Sequence, residues 1–212
     1  TKLTTDIPTT YPNGCHIAEI EIDPETGVVE LVAYSAVDDR GNVLDHVIVE
    51  AQVQGGVAQG VGQALMENFV YEADSGQVQS GSFMDYAMPR ADDLPSINVE
   101  TVKGTPCTHN PLGVKGCGEA GAIGSPAAVM NAVHDALRPA GVTKVEMPAT
   151  PHRIWSAIQK AKKKAAKKAA KKKAAKAKKR AAPARRKAVK TKRAAARKPA
   201  RKAAKPAAKA KP

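Results

Sequence analysis

The sequence predicts an α+β fold: β-hairpins and short mixed strands packed with helices, then a basic tail that is disordered or only conditionally helical. Three observations carry this. Two early segments alternate apolar and polar residues around a Pro/Gly turn, and a later one repeats valine every four residues. From Lys160 onward the composition contracts to little beyond lysine, arginine and alanine.

His16–Asp23 places Ile20 and Ile22 on one face and Glu19 and Glu21 on the other, the period of a half-buried strand. Pro24-Glu25-Thr26-Gly27 supplies turn chemistry, and Val28–Val37 returns as a second, more apolar strand, completing a hairpin. Over His46–Asn68, Val49, Val53, Val57, Val61 and Leu65 recur every four residues, as in a helix packed on a sheet. Gly55, Gly56, Gly60 and Gly62 would each cost about 1 kcal/mol in a helix interior. Such a helix either admits another backbone closely or breaks near Gly55-Gly56, and the expectation is a helix lying against something bulky or buried. Phe69–Ala73 and Gln77–Ala87 read as short strands around the Asp74-Ser75-Gly76 turn, and Ile97–Val102 as another. Ser125-Pro126 reads as a helix start with Ser as N-cap, buried through Ala127, Met130, Val133 and Leu137 and ended by Pro139 and Gly141. Thr150-Pro151 begins a further helix with Ile154, Trp155 and Ile158 on its apolar face.

The formal net charge of +14 conceals two opposed regions. Residues 1–159, the expected globular part, hold all 20 acidic residues and 8 basic ones, a net −12. Residues 160–212, the expected tail, hold 26 basic residues and no acid, a net +26. A single basic DNA-binding domain and a uniformly disordered chain are both excluded. No run of about 18 apolar residues exists to span a membrane. The start, Thr1–Asp6, has no apolar signal core and no initiator Met, so further residues are expected upstream. Cys15, Cys107 and Cys117 are too few and too odd for a disulfide framework, which favours reduced thiols in a cytoplasmic protein.

Leu112–Ser125 is the most unusual segment of the globular part. It contains a GxGxxG at Gly116, Gly118 and Gly121, but no strand leads directly into it and the next acid, Asp135, falls on the wrong element for a dinucleotide fingerprint. No Gly-Lys-Ser/Thr occurs, which removes a Walker loop. Glu119 within this turn reads either as a solvated carboxylate or as a general base in a turn whose glycines let substrate or cofactor come close. Gln52, Gln54 and Gln59 flank the Gly-rich helix, and a buried one would offer a donor and an acceptor to a polar heterocycle. Cys107-Thr108-His109 with Cys117 matches no zinc spacing, and His16, His46, His134 and His152 are isolated.

Two of these segments together resemble a known family. Gln52-Val53-Gln54-Gly55-Gly56-Val57-Ala58-Gln59-Gly60-Val61-Gly62, followed by Gly113-Val114-Lys115-Gly116-Cys117-Gly118-Glu119-Ala120-Gly121, is similar to the molybdenum hydroxylases. The likeness is to the C-terminal part of the large, molybdopterin-binding subunit of xanthine dehydrogenase and aerobic carbon monoxide dehydrogenase types. It runs from about Tyr11-Pro12-Asn13-Gly14-Cys15-His16 to Pro148-Ala149-Thr150-Pro151. The resemblance implies that Glu119 is the base beside molybdenum, taking the proton that lets a water-derived oxygen attack an electron-poor carbon. It implies that Gln52 hydrogen-bonds the pterin. It also implies a molybdenum-molybdopterin cofactor, in the cytosine dinucleotide form, held through its dithiolene without protein metal ligands. The implied partners are subunits or domains carrying FAD and [2Fe-2S] clusters, in a homo-oligomer of the heteromer. Cys117 departs from the pattern, where a small aliphatic residue is expected. The family's larger N-terminal share is absent, so these residues alone are expected neither to hold the cofactor nor to turn over.

The tail lies outside that pattern and resembles linker-histone and bacterial histone-like tails in composition only. A Lys/Arg chain releases counterions from nucleic acid without reading sequence, and the lack of aromatics removes base stacking. Anionic membrane surfaces and the absence of any dedicated partner are the other readings, and no amphipathic face supports insertion. Two functions therefore stand side by side: part of a xanthine dehydrogenase-type molybdenum oxidoreductase, or an inactive fragment that binds DNA or RNA through residues 160–212.

Overall fold

The computed structural model describes residues 9–195, with side chains to residue 176. The chain divides into two compact units, Thr1–Lys162 and Lys163–Pro212. In the first, β1 (Asn13–Ile22) and β2 (Val29–Asp39) form the expected antiparallel hairpin, and β3 (Ile97–Thr101) joins β2 in parallel, giving the sheet order β1-β2-β3. The hairpin turns at Gly27, whose φ of 79° is open to glycine at no steric cost.

Helices α1 (His46–Leu65) and α2 (Ala120–Leu137) pack with the sheet around Val53, Val57, Val61, Leu65, Val129, Val133, Leu137, Tyr34 and Leu31. Helix α3 (Pro151–Ala195) begins in this unit, its first turn closed by Ile154 N donating to Thr150 O, and inserts Ile154 and Ile158 into the core. Trp155, expected on that apolar face, is 40% exposed. The basic stretch continues as helix to Ala195, the conditional outcome that its alanine and lysine content permits. The expected tail's last residues, 196–212, lie outside the described residues.

Helix α1 does not break at its glycines. Asp45 caps its start by accepting from Ile48 N, and the helix stops three residues before Asn68 because Met66 N and Glu67 N both turn back onto Gly62 O. Its glycines admit the backbone of α2: a Cβ on Gly56 would lie 2.8 Å from Ala122 N and 3.0 Å from Gly121 Cα. Gly121 meets Val57 N and Gly56 C just as closely.

That contact accounts for one departure from expectation. Helix α2 starts at Ala120, with Glu119 at the N-cap position, rather than at Ser125-Pro126. Gly121 must be helical to seat on α1, so Ser125 becomes a buried interior residue facing Gly60 and Pro126 forfeits one helical hydrogen bond. Ala127, expected in the buried stripe, is exposed, and Val129 takes its place.

A second departure is the pair of strands expected over Phe69–Ala73 and Gln77–Ala87. Only one isolated bridge, Tyr71 to Val78, closes the turn at Gly76, and Asp85 N and Tyr86 N both donate back to Ser82 O. No strand lies alongside to reward extension, and Phe69, Tyr71, Phe83 and Met84 stay exposed.

The glycine contact makes a paired test. Gly121→Ala drives a methyl into the α1 backbone and is expected to destabilise by about 1–3 kcal/mol or more. Gly55→Ala meets nothing within 4 Å, and is expected to be neutral or stabilising by about 0.5–1 kcal/mol. Urea midpoints check both, and equal midpoints would remove the close approach as the reason for the glycines.

Candidate functional site

The end of β2 anchors the candidate site. Asp38, Asp39 and Arg40 are all buried, which charged groups tolerate only when paired. Arg40 donates from Nη2 to Asp38 Oδ2 at 2.6 Å and from Nη1 to Thr101 Oγ1 at 2.7 Å. The other Asp38 oxygen lies 3.2 Å from His16 Nε2, and His16 Nδ1 lies 2.8 Å from the Tyr34 hydroxyl. Burial acts upward on the Asp38 carboxyl, but the hydrogen bonds from His16 and Arg40 outweigh it and hold it below the ordinary range. The Tyr34 hydroxyl is pushed up by burial and by the Asp38 charge.

Asp39 points away from this cluster, as successive strand residues do, and grips the Gly-rich loop. It accepts from Lys115 Nζ at 2.5 Å, Thr105 Oγ1 at 2.7 Å and Gly41 N at 3.0 Å. The Lys115 bond, then those of Gly41 and Thr105, hold its carboxyl down at about 2. The backbone repeats the attachment: Lys115 N donates to Arg40 O at 2.9 Å and Asn42 N to Gly113 O at 2.9 Å, while Gly41 bridges Val114. Asn110 ties the loop from within, donating to Val114 O and accepting from Val114 N.

From this attachment the chain crosses Gly116–Glu119 to the start of α2. The two residues singled out from sequence come together here from different elements. Gln52 lies on α1, and a Cβ on Gly118 would stand 3.9 Å from its Oε1. Glu119 follows at the α2 N-cap position, with no cap bond from its side chain. Both are exposed, and among the described residues neither side chain has a hydrogen-bond partner. A Cβ on Gly116 would likewise make only ordinary contact, with Thr10 O at 3.9 Å. Of the other two glutamines, Gln54 donates to Glu50 at 3.2 Å and Gln59 is exposed.

Two clefts touch the turn. One of about 250 Å³ is lined by Arg40, Ile48, Lys115 and Cys117, and one of about 350 Å³ by Cys15, His16, Asp38, Ala120 and Ile123. The three cysteines are free. Among the described residues no group of three or more His, Cys, Asp or Glu is gathered to hold a metal ion, and no helix is long and apolar enough to cross a membrane.

Sequence reasoning treated His16 as isolated and gave no role to Asp38, Asp39, Arg40 or Lys115. A signal existed: three consecutive charges closing an apolar strand demand buried partners. Their identity could not be read, because the partners lie up to 76 residues away.

Comparison with known proteins gives this geometry its context. A family model described as a molybdopterin cofactor-binding domain matches residues 2–95, which include Gln52. The nicotine 6-hydroxylase large subunit of Paenarthrobacter nicotinovorans is 42% identical over 149 residues, 70% of this chain and 18% of that protein. The quinoline 2-oxidoreductase structure from Pseudomonas putida 86 superposes with a TM-score of 0.67 at 41% identity, covering 70% of this chain and 19% of that one. The chain is similar to part of a molybdenum hydroxylase large subunit. The carbon monoxide dehydrogenase large chain of Hydrogenophaga pseudoflava, 33% identical over 71% of this chain and 18% of its own length, widens the same assignment. The chain thus spans about a fifth of the length of these relatives, and the likeness covers about 70% of the chain.

The anchor has a pH signature. A carboxyl with a depressed folded-state pKa contributes stability that is present above its unfolded value of about 3.9 and lost as pH falls toward about 2. Asp39→Asn is therefore expected to lower the urea midpoint at pH 7 and to show a shallower loss between pH 4 and 2. An unchanged acid limb would remove Asp39 as the group that titrates there.

Proposed function

We propose that this chain supplies the base and one pterin contact to the catalytic subunit of a molybdenum hydroxylase. Such an enzyme oxidises a carbon centre with oxygen from water, releasing two electrons and two protons. The observation that carries the reading is the meeting of Gln52 with the Gly118-Glu119 turn. The residues present fit a pterin-held metal: a glycine turn with no side chain of its own, an amide with a donor and an acceptor, and a carboxylate one residue beyond Gly118.

When bound, the cofactor supplies the two-electron sink that no side chain offers. The chain's own contributions are separate from it. Gln52 orients the polar edge of the pterin through its amide. Glu119 accepts a proton at its carboxylate. Asp39 and Lys115 hold the loop that leads into the Gly118-Glu119 turn.

The relatives sharing 41–42% identity are named for nicotine and quinoline, which favours a pyridine-type N-heterocyclic substrate over purines, aldehydes or carbon monoxide. Relatives named as large subunits and large chains support partner subunits, which we assign as FAD-binding and iron–sulfur proteins. The cytosine dinucleotide form of the pterin, a homo-oligomer of the heteromer and a cytoplasmic site belong to the same proposal, the last supported by three free thiols.

Glu119→Gln in the complete complex, with molybdenum occupancy verified by elemental mass spectrometry, is expected to lower turnover by about 10²–10⁴-fold, the range for loss of a general base. Near-normal turnover at full occupancy would overturn the assignment. Gln52→Ala is expected to act on occupancy instead, reducing molybdenum per polypeptide relative to wild type purified in parallel. Unchanged occupancy would take Gln52 off the pterin.

A further inference from the structure

Residues 160–176 of α3 contain ten lysines, seven alanines and no acid, and all but Ala161 are exposed. At 3.6 residues per turn the lysines surround the helix rather than forming a stripe. Lys160 and Lys171 lie on one side, Lys162 and Lys173 opposite them, with Lys168 and Lys172 facing Lys163 and Lys167 across the axis. One file, Lys160, Lys164, Lys168, Lys172 and Lys176, repeats like charge at every i, i+4 step, an arrangement that costs a few tenths of a kcal/mol per pair until an anion relieves it.

We propose that this segment is a sequence-independent docking surface for duplex nucleic acid. A helix 10–12 Å across matches a major groove about 12 Å wide, whose phosphates flank it on both walls, and only a helix charged all round addresses both. Charge density agrees as well. Seventeen helical residues extend about 25 Å, along which a duplex presents about 15 phosphates to the ten lysines. Single strands are a poorer fit because residues 160–212 contain no aromatic side chain on which bases could stack. An anionic bilayer would reward an apolar face, and residues 160–176 have none.

The test uses the full chain with two unrelated 30-base-pair duplexes, followed by fluorescence anisotropy from 50 to 200 mM salt. Expected are affinities within threefold of one another and a loss of about 10³-fold or more across that range. Replacing the ten lysines of 160–176 by Gln should flatten the slope of log affinity against log salt by at least 3, each phosphate contact contributing about 0.9. The corresponding Lys→Arg variant should keep the wild-type slope. A Gln variant with a slope within 3 of wild type, a tenfold preference between the duplexes, or tighter binding to phosphatidylserine vesicles than to DNA would each overturn the proposal.

Discussion

The close approach of α1 and α2 at Gly56 and Gly121 is the constraint on which the site depends. With no side chain at either position, the two backbones come within van der Waals contact, and a Cβ on either glycine would collide with main-chain atoms of the other helix. Main-chain atoms cannot swing aside as a long side chain can, so the spacing is fixed rather than merely favoured. Because Gly121 is the second residue of α2, the contact also fixes where that helix begins, and the Gly118-Glu119 turn is thereby delivered beside Gln52. A glycine-rich helix, which intrinsic propensity alone would disfavour, is retained because tertiary packing outweighs about 1 kcal/mol per glycine.

Packing fixes one end of the turn, and charge fixes the other. Asp38 and Asp39 are neighbours on β2, yet the alternation of strand side chains sends them to different partners. Asp38 is enclosed by Arg40 and His16 and ties β2 to β1 and β3, since Arg40 also reaches Thr101. Asp39 holds Lys115 and Thr105 and thus the loop that leads to Glu119. Buried ion pairs add little net stability over apolar packing, but removing one partner leaves an uncompensated charge at a cost of about 3–5 kcal/mol. Their value here is positional: a loop with glycines at 113, 116 and 118 would sample many conformations unless pinned on both sides.

The limits of sequence reading follow from the same physics. The hairpin, α1 and β3 were legible because their periodicity is local and their burial one-sided: Val53, Val57, Val61 and Leu65 sit in the core as the four-residue spacing requires. The start of α2 was misplaced because Ser125-Pro126 is a genuine local start signal that the contact with α1 overrides. The strands expected over 69–87 had alternation without a neighbour, and pairing is a property of two segments. Gln52 and Glu119 are site candidates through motif resemblance, whereas His16, Asp38, Asp39, Arg40 and Lys115 act through partners that local pattern does not encode.

The division of charge along the chain separates its two proposed roles. Residues 1–159 carry a net −12, so a polyanion gains nothing by approaching them, and any phosphate contact is confined to residues 160–212 with their net +26. Conversely, Gln52, Glu119 and the groups that position them all precede residue 160, and among the described residues none bonds to a lysine or arginine of the tail. Neutralising lysines in the helix is therefore a test of the proposed nucleic-acid contact that leaves the groups holding the Glu119 turn in place. The two functions require no compromise in sequence because no residue serves both.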